Sequence, residues 1–274
     1  MKRFVVAILI LTLIITTAIA EDYSSMTIEE LQEVRDEKIK ELSVINSLIA
    51  TMHSNQIDSA EDIDSVSIGD LFPDKTFAEY IRDTLGKTSI HDAVTQDDLD
   101  TITKVRISYN GDVSDLTGIS HLRNLTSLSV TPYKSSTITD ELLKLPYLRG
   151  IDLSYYSGTT LPDWFTQMSQ LEWLEFAGSS LVTFPDDIGN LGNLTYIMLN
   201  NSTDFTDLPE SIGNCVKLES LYLGNTGISS IPSSLGNCIN LTDLELGHTS
   251  ISEIPQSILD LNIERLGISN TNIE

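Results

Sequence analysis

The chain has 274 residues, 40 of them acidic and 16 basic, for a formal net charge of −24 at neutral pH. Such a surface repels phosphate backbones, which proteins bind by neutralising them with Lys and Arg, and this argues against a nucleic-acid partner. Two cysteines and four histidines, no two of the latter at metal-ligand spacing, give no basis for a zinc site, and no cofactor is implied.

At the amino terminus Lys2 and Arg3 precede an apolar run from Phe4 to Ile15 and the small-residue ending Ala18-Ile19-Ala20. The pattern predicts a secretory signal peptide over residues 1–20, cleaved after Ala20. A retained membrane helix would need about twenty apolar residues, whereas Thr16 and Thr17 interrupt the run and Glu21-Asp22 follow it. With no second long apolar stretch, the expectation is a secreted, extracellular protein without stable membrane insertion, free or held non-covalently at a cell surface.

Residues 21–53 read as an amphipathic helix. Thr27 and Glu30 form a capping box, Met26 can staple onto Leu31, and Leu31, Val34, Leu42, Ile45, Ile49 and Met52 share a stripe. This helix either packs on the following domain, moves on a tether, or self-associates as a short coiled coil, a use that Lys38 in the stripe disfavours. Residues 54–69, rich in Asp and Ser, read as a flexible linker. A helical segment over 70–101 follows, with Phe77, Ile81 and Leu85 at i, i+4, i+8, and with Thr95 and Asp98 placed for a relaxed capping box on a second helix.

Residues 102–274 repeat. In the frame L-x-x-L-x-L, eight units begin at Ile102, Leu125, Leu148, Leu171, Leu194, Leu218, Leu241 and Ile263. The spacing lies inside the range of leucine-rich repeats. Within the unit from Leu218, the alternation Leu221-Tyr222-Leu223 marks a strand with one buried face. Pro232 then opens a short helical turn closed by Leu235, suiting a first helical position where no amide bond is lost. The same Pro-x-x-apolar element recurs from Pro162, Pro185, Pro209 and Pro255; the two earliest units lack it, so their convex sides should differ. The predicted fold is an α/β solenoid: a right-handed leucine-rich-repeat arc with a parallel strand ladder on its concave face, short helical or 3-10 turns on its convex face, and a small helical N-terminal cap.

Position nine of each unit, commonly Asn, is here Asn110, then Tyr133, Tyr156, Ser179, Ser202, Thr226, Thr249 and Thr271, which predicts a hydroxyl ladder that leaves more backbone groups to water. Cys215 and Cys238 stack in adjacent units, within reach of a disulfide yet equally explained as two small buried thiols. The glycosylation-type triplets at Asn124, Asn193, Asn200, Asn201 and Asn240 read as structural, three of them being the repeat's own Asn-Leu-Thr.

From Phe72 to Ile107 the residues FPDKTFAEYIRDTLGKTSIHDAVTQDDLDTITKVRI resemble the N-terminal cap of the internalin family of bacterial surface proteins. The resemblance implies a secreted or surface protein that binds proteins of a host or neighbouring cell with its concave face. The chain departs from that family in showing no immunoglobulin-like domain after the repeats and no cell-wall sorting signal, so covalent surface display is not expected. The last unit also carries no recognisable terminal cap.

Outward strand positions follow from the alternation of side chains. They hold the aromatics Tyr109, Tyr155, Trp173, Tyr196 and Tyr222, the acids Asp152, Glu175, Asp243 and Glu245, and also Met198 and His248. Aromatics held outward on a rigid sheet are what protein interfaces favour at their centres, though some of these rings could simply cover neighbouring pleats. No nucleophile, base and orienting acid fall into a hydrolase motif, so the chain is not expected to be an enzyme. The leading reading is an extracellular protein-binding module anchored by Trp173, Tyr196 and Tyr222. The alternatives are a carbohydrate or cell-wall binder using the same rings, and a structural spacer.

Overall fold

The computed structural model of the protein describes Thr27 and residues 63–273, without the side chains of residues 109–111. The expected signal peptide, the expected helix over Met26–Met52 and the first part of the expected linker therefore lie outside the described residues. So do the side chains of Tyr109 and Asn110.

The cap is built from β1 (Val66–Ser67), α1 (Ile68–Leu71), α2 (Lys75–Thr84), β2 (Ala93–Val94) and α3 (Gln96–Leu99). Its first residues overturn part of the linker expectation. Ile63 packs on the core, Ile68 is fully buried, and Val66–Ser67 pairs antiparallel with Ala93–Val94. The apolar residues Ile63, Val66 and Ile68, set among Asp and Ser, are enough to tie this stretch down. In α2 the N-cap Asp74 accepts from the Phe77 amide at 3.0 Å, and Phe77, Ala78 and Ile81 face inward. Leu85 falls at the C-cap and is partly buried, and Phe72 meets Phe77 edge to face at 5.1 Å. The capping box on α3 forms in full: Thr95 accepts from the Asp98 amide while Asp98 accepts from the Thr95 amide.

Eight strands form one parallel sheet in sequence order: β3 (Lys104–Val113), β4 (Ser127–Tyr133), β5 (Gly150–Asp152), β6 (Trp173–Glu175), β7 (Tyr196–Met198), β8 (Ser220–Tyr222), β9 (Asp243–Glu245) and β10 (Arg265–Gly267). The register is constant. Leu128, Ile151, Leu174, Ile197, Leu221, Leu244 and Leu266 stand rung on rung, and from Leu128 to Leu244 they are buried. A one-residue slip would turn the whole apolar set outward, which is why the period holds the pairing so firmly. Only β3 against β4 shifts register, between Ser108 and Val113.

The return turns are mostly 3-10 helices: Asp163–Gln167, Ile188–Asn190, Glu210–Asn214 and Ser233–Asn237 in the middle units, with a short α4 (Gln256–Leu259) in the last. Pro162, Pro209, Pro232 and Pro255 sit at the N-cap rather than the first helical position, extended, and their carbonyls accept from the amides of Phe165, Ile212, Leu235 and Ile258. Proline's fixed φ suits either place. The first two turns use other means: Gly118 at φ +89, where a Cβ would collide with the Leu71 carbonyl, and Thr139, whose hydroxyl accepts from the Glu141 amide. Glu141 in turn reaches back one unit to the Gly118 and Ser120 amides and the Ser120 hydroxyl.

The position-nine residues divide by chemistry. Tyr133 and Tyr156 are buried and stack at 6.3 Å, each hydroxyl donating to a loop carbonyl. Ser202 spans two units, bonding the Phe176 carbonyl at 2.9 Å, the Ser179 amide at 3.0 Å and the Ser179 hydroxyl at 3.2 Å. Thr226, Thr249 and Thr271 turn back onto carbonyls of their own unit. Cys215 and Cys238 are free, buried thiols that lie against carbonyls of preceding units. Burial pushes both thiols up, Cys238 to about 12, which leaves them protonated and unreactive. Three of the Asn-Leu-Thr amides are structural donors: Asn124 to the Asp100 carbonyl, Asn193 to that of Ser169 and Asn240 to that of Val216, at 2.9, 2.8 and 2.7 Å.

The N-terminal edge of the sheet is closed by one side chain. The Tyr80 hydroxyl on α2 accepts from the Arg106 amide at 2.9 Å and lies 3.4 Å from the Lys104 carbonyl, taking up β3 groups that would otherwise invite strand addition. Asp74 adds a second tie, accepting from the Ser114 amide and hydroxyl.

Two outcomes are expected in urea unfolding. Leu221→Ala, in the middle of the spine, should lower stability by about 2–5 kcal/mol, the range for a large-to-small core change. Tyr80→Phe removes only a hydroxyl and should cost about 1 kcal/mol; a value near zero would mean that water serves the edge equally well.

Candidate binding face

One face of the ladder is the leucine spine and the other is open, so every second strand residue points outward. Two columns run along it. The first reads Gly150, Trp173, Tyr196, Ser220, Asp243, Arg265; the second reads Ser129, Asp152, Glu175, Met198, Tyr222, Glu245, Gly267. Neighbouring rungs on such a ladder are about 4.8 Å apart. Asp152, Trp173, Glu175, Tyr196, Met198, Tyr222 and Glu245 are therefore brought together on one surface, all of them part-buried.

Not all of them are available in the same way. The Trp173 indole lies against the Gly150 backbone, where a Cβ on residue 150 would collide with a carbon of the ring. It covers its neighbour's pleat as well as facing outward. Asp152 is saturated, accepting from the Ser129 and Thr131 hydroxyls at 2.8 and 3.0 Å and from the Ser154 amide and hydroxyl at 3.0 and 2.7 Å. Asp243, expected outward, is buried: Arg265 on the next strand closes over it in an ion pair that holds its carboxyl below the usual carboxylate range. Glu245 leans over Gly267 and accepts from the Gly247 amide at 2.8 Å.

The centre of the face is the pair Tyr196 and Tyr222, rings 5.5 Å apart and tilted by 50°, with the Tyr196 hydroxyl donating to the Met198 sulfur at 3.7 Å. Burial, helped by Glu175, Tyr222 and Asp152 close by, pushes the Tyr196 phenol up to about 12. Glu175 is raised above the ordinary carboxylate range, first by burial and then by Asp152 one rung away.

Tyr155 and His248 do not belong to these columns. They stand at the rim with left-handed backbone, φ +66 and +59, in a series with Gly178, Asn201, Asn225 and Asn270. Tyr155 is 51% exposed, its ring over Gly178; Asn225 donates to Asn201 at 3.0 Å, and Asn270 meets the His248 ring at 3.2 Å. Alternation within strands does not extend past the strand ends, so the rim amides were absent from the expected set; Arg265 opens β10 in the same column as Asp243 and was passed over because that set was built mainly on aromatics and acids. The pairing of Asp243 with Arg265 and of Gly150 with Trp173 does have a sequence signal: residues 22 or 23 apart in a repeat are neighbours.

A constant-register parallel ladder, a leucine spine and a helical plug on the first strand define a capped leucine-rich-repeat solenoid. Residues 57–100 match the internalin N-terminal model, described as bacterial adhesion/invasion protein N terminal, and residues 217–238 match the leucine-rich-repeat model. Among solved structures the chain is similar to internalin C2 of Listeria monocytogenes, at 24% identity over 77% of this chain and 100% of that one, with a TM-score of 0.55. It is also similar to the functional domain of InlJ from Listeria monocytogenes, which includes a cysteine ladder, at 20% identity over 78% of this chain and 54% of that one, with a TM-score of 0.51. These likenesses establish the fold.

The environment of Glu175 has a measurable sign. Its pKa is raised in the folded state, so the unfolded chain loses this proton first as pH rises, and the ionised carboxylate costs the fold stability above the ordinary glutamate range. Glu175→Gln should raise the thermal midpoint at neutral pH, and the gain should vanish when both proteins are melted below that range. An equal gain at both pH values would show that burial of the charge is not its cause.

Proposed function

We propose that the chain is an extracellular recognition module that binds another protein along the outward strand face, with Tyr196 and Tyr222 as the anchor and Trp173, Met198, Glu175 and Glu245 around it. The observation that carries this reading is the tyrosine pair: two large rings, part-buried in contact on a sheet whose other side is a solid leucine core. Rigid aromatics that need little further ordering are the commonest energetic centres of protein interfaces. The match of the cap to a bacterial adhesion/invasion model and the signal-like sequence of residues 1–20 support an adhesive role outside the cell.

Binding rather than catalysis fits the state of the reactive groups. The thiols are buried and protonated, Asp152 is consumed by four hydrogen bonds, and His248 lies at the rim against Asn270. A second reading, glycan binding, rests on Tyr155, whose exposed ring presents a flat face at the rim.

The two are separated by a pull-down from extracellular proteins run beside a glycan array, each repeated with the double variant Tyr196→Ala, Tyr222→Ala and with Tyr155→Ala. The expected result is a protein ligand whose affinity drops about thirtyfold or more in the double variant, the loss associated with an interface hot spot of about 2 kcal/mol, with unchanged melting. A ligand indifferent to the double variant would place the site elsewhere, and a glycan lost with Tyr155→Ala would favour the second reading.

A further inference from the structure

Between Gly150 and Glu264 the sequence carries fifteen acids and a single base, Lys217. Lys217 is not on the face: it precedes its strand and bonds Asn193 at 2.7 Å. At the C-terminal end of the ladder the chain supplies an arginine of its own. Arg265 bonds the Asp243 carboxylate and also reaches the Tyr222 hydroxyl, so that a guanidinium sits between an acid and a tyrosine of neighbouring rungs. Three rungs before Asp243, an acid beside a tyrosine recurs without the arginine. Glu175 lies beside Tyr196, with Asp152 on its other side. Asp152 is served by four donors, but among the described residues no hydrogen-bond donor is placed on the Glu175 carboxylate, although it is half-buried.

A part-desolvated carboxylate beside an aromatic ring and a second carboxylate is the environment in which an arriving cation gains most, through charge-assisted hydrogen bonds and the face of the ring. Arginine suits it better than lysine, because the planar guanidinium can stack on the phenol and present a fork to the carboxylate together. A metal ion is a poorer fit: divalent cations with oxygen ligands need several at once, and among the described residues no group of three or more His, Cys, Asp or Glu is placed to hold one.

We propose that the outward face recognises a basic protein segment and seats one of its arginines between Glu175 and Tyr196, as Arg265 is already seated between Asp243 and Tyr222. The proposal rests on the protein-binding reading above and supplies the chemistry of the partner that the reading leaves open.

The test is a random-peptide display selection against the full chain, run in parallel on Glu175→Gln, with the best peptides resynthesised in arginine and citrulline forms. The expected outcome is enrichment of arginine flanked by apolar residues. Affinity should fall on the order of tenfold with citrulline, which keeps the shape and loses the charge, and by a similar factor in Glu175→Gln; it should also weaken with added salt. Enrichment of sequences without arginine or lysine, equal binding of the citrulline forms, the same peptides selected on Glu175→Gln, or no enrichment at all overturns the proposal. If such non-basic peptides still lose affinity in Tyr196→Ala, Tyr222→Ala, the protein-binding face stands and only its charge preference is wrong. Peptides that bind the double variant unchanged sink the face itself.

Discussion

No unit of this solenoid can bury its own leucines, and everything else follows from that dependence. A strand of three residues, as in β5 to β10, has too little surface to fold alone. Stacked at constant register, the same residues make a spine from Leu128 to Leu244 with scarcely any exposure. Stability in such arrays is a sum of nearest-neighbour terms, so each side chain that crosses from one unit to the next counts. Ser202, Glu141, Asp152 and the Asn124, Asn193 and Asn240 amides all do so.

The spine also sets what the open face can be. Because one side of each strand is committed to the core, the outward columns are rigid by default, and side chains there lose little freedom on meeting a partner. The face is therefore a display, and its character is decided by which residues are already occupied at home. Trp173 and Asp152 are largely occupied; Asp243 is wholly so; Tyr196, Tyr222 and Glu175 are the least committed.

Much of this was legible in the sequence, since a leucine period near 23 residues is a local signal that needs no knowledge of distant contacts. The parallel ladder, the capping box at Thr95 and the aromatic columns all come from patterns within a few residues or one repeat length. What stayed hidden depends on how a side chain lies rather than where it starts. Tyr80 reads as one more residue of an amphipathic helix, and only the docking of α2 across β3 makes its hydroxyl an edge cap. The stretch from Ile63 to Gly69 looks like linker because its Asp and Ser content outweighs three apolar residues whose backbone partners, Gln96 for Ile63, Val94 for Val66 and Asp92 for Ile68, lie far along the chain. Asp243 is outward by alternation and buried by Arg265, a long side chain free to fold over it.

The amides of Asn124, Asn193 and Asn240 carry a practical consequence. Each sits in a triplet that eukaryotic secretory cells modify with sugar, and the nitrogen that would be modified is the one that donates to a carbonyl of the preceding unit. Attachment takes place on a nascent chain, before the repeats have stacked. Material produced in such cells would carry bulky groups at three separate turns of the solenoid, wedged where neighbouring coils must close, so a bacterial host would be the sounder route to native protein.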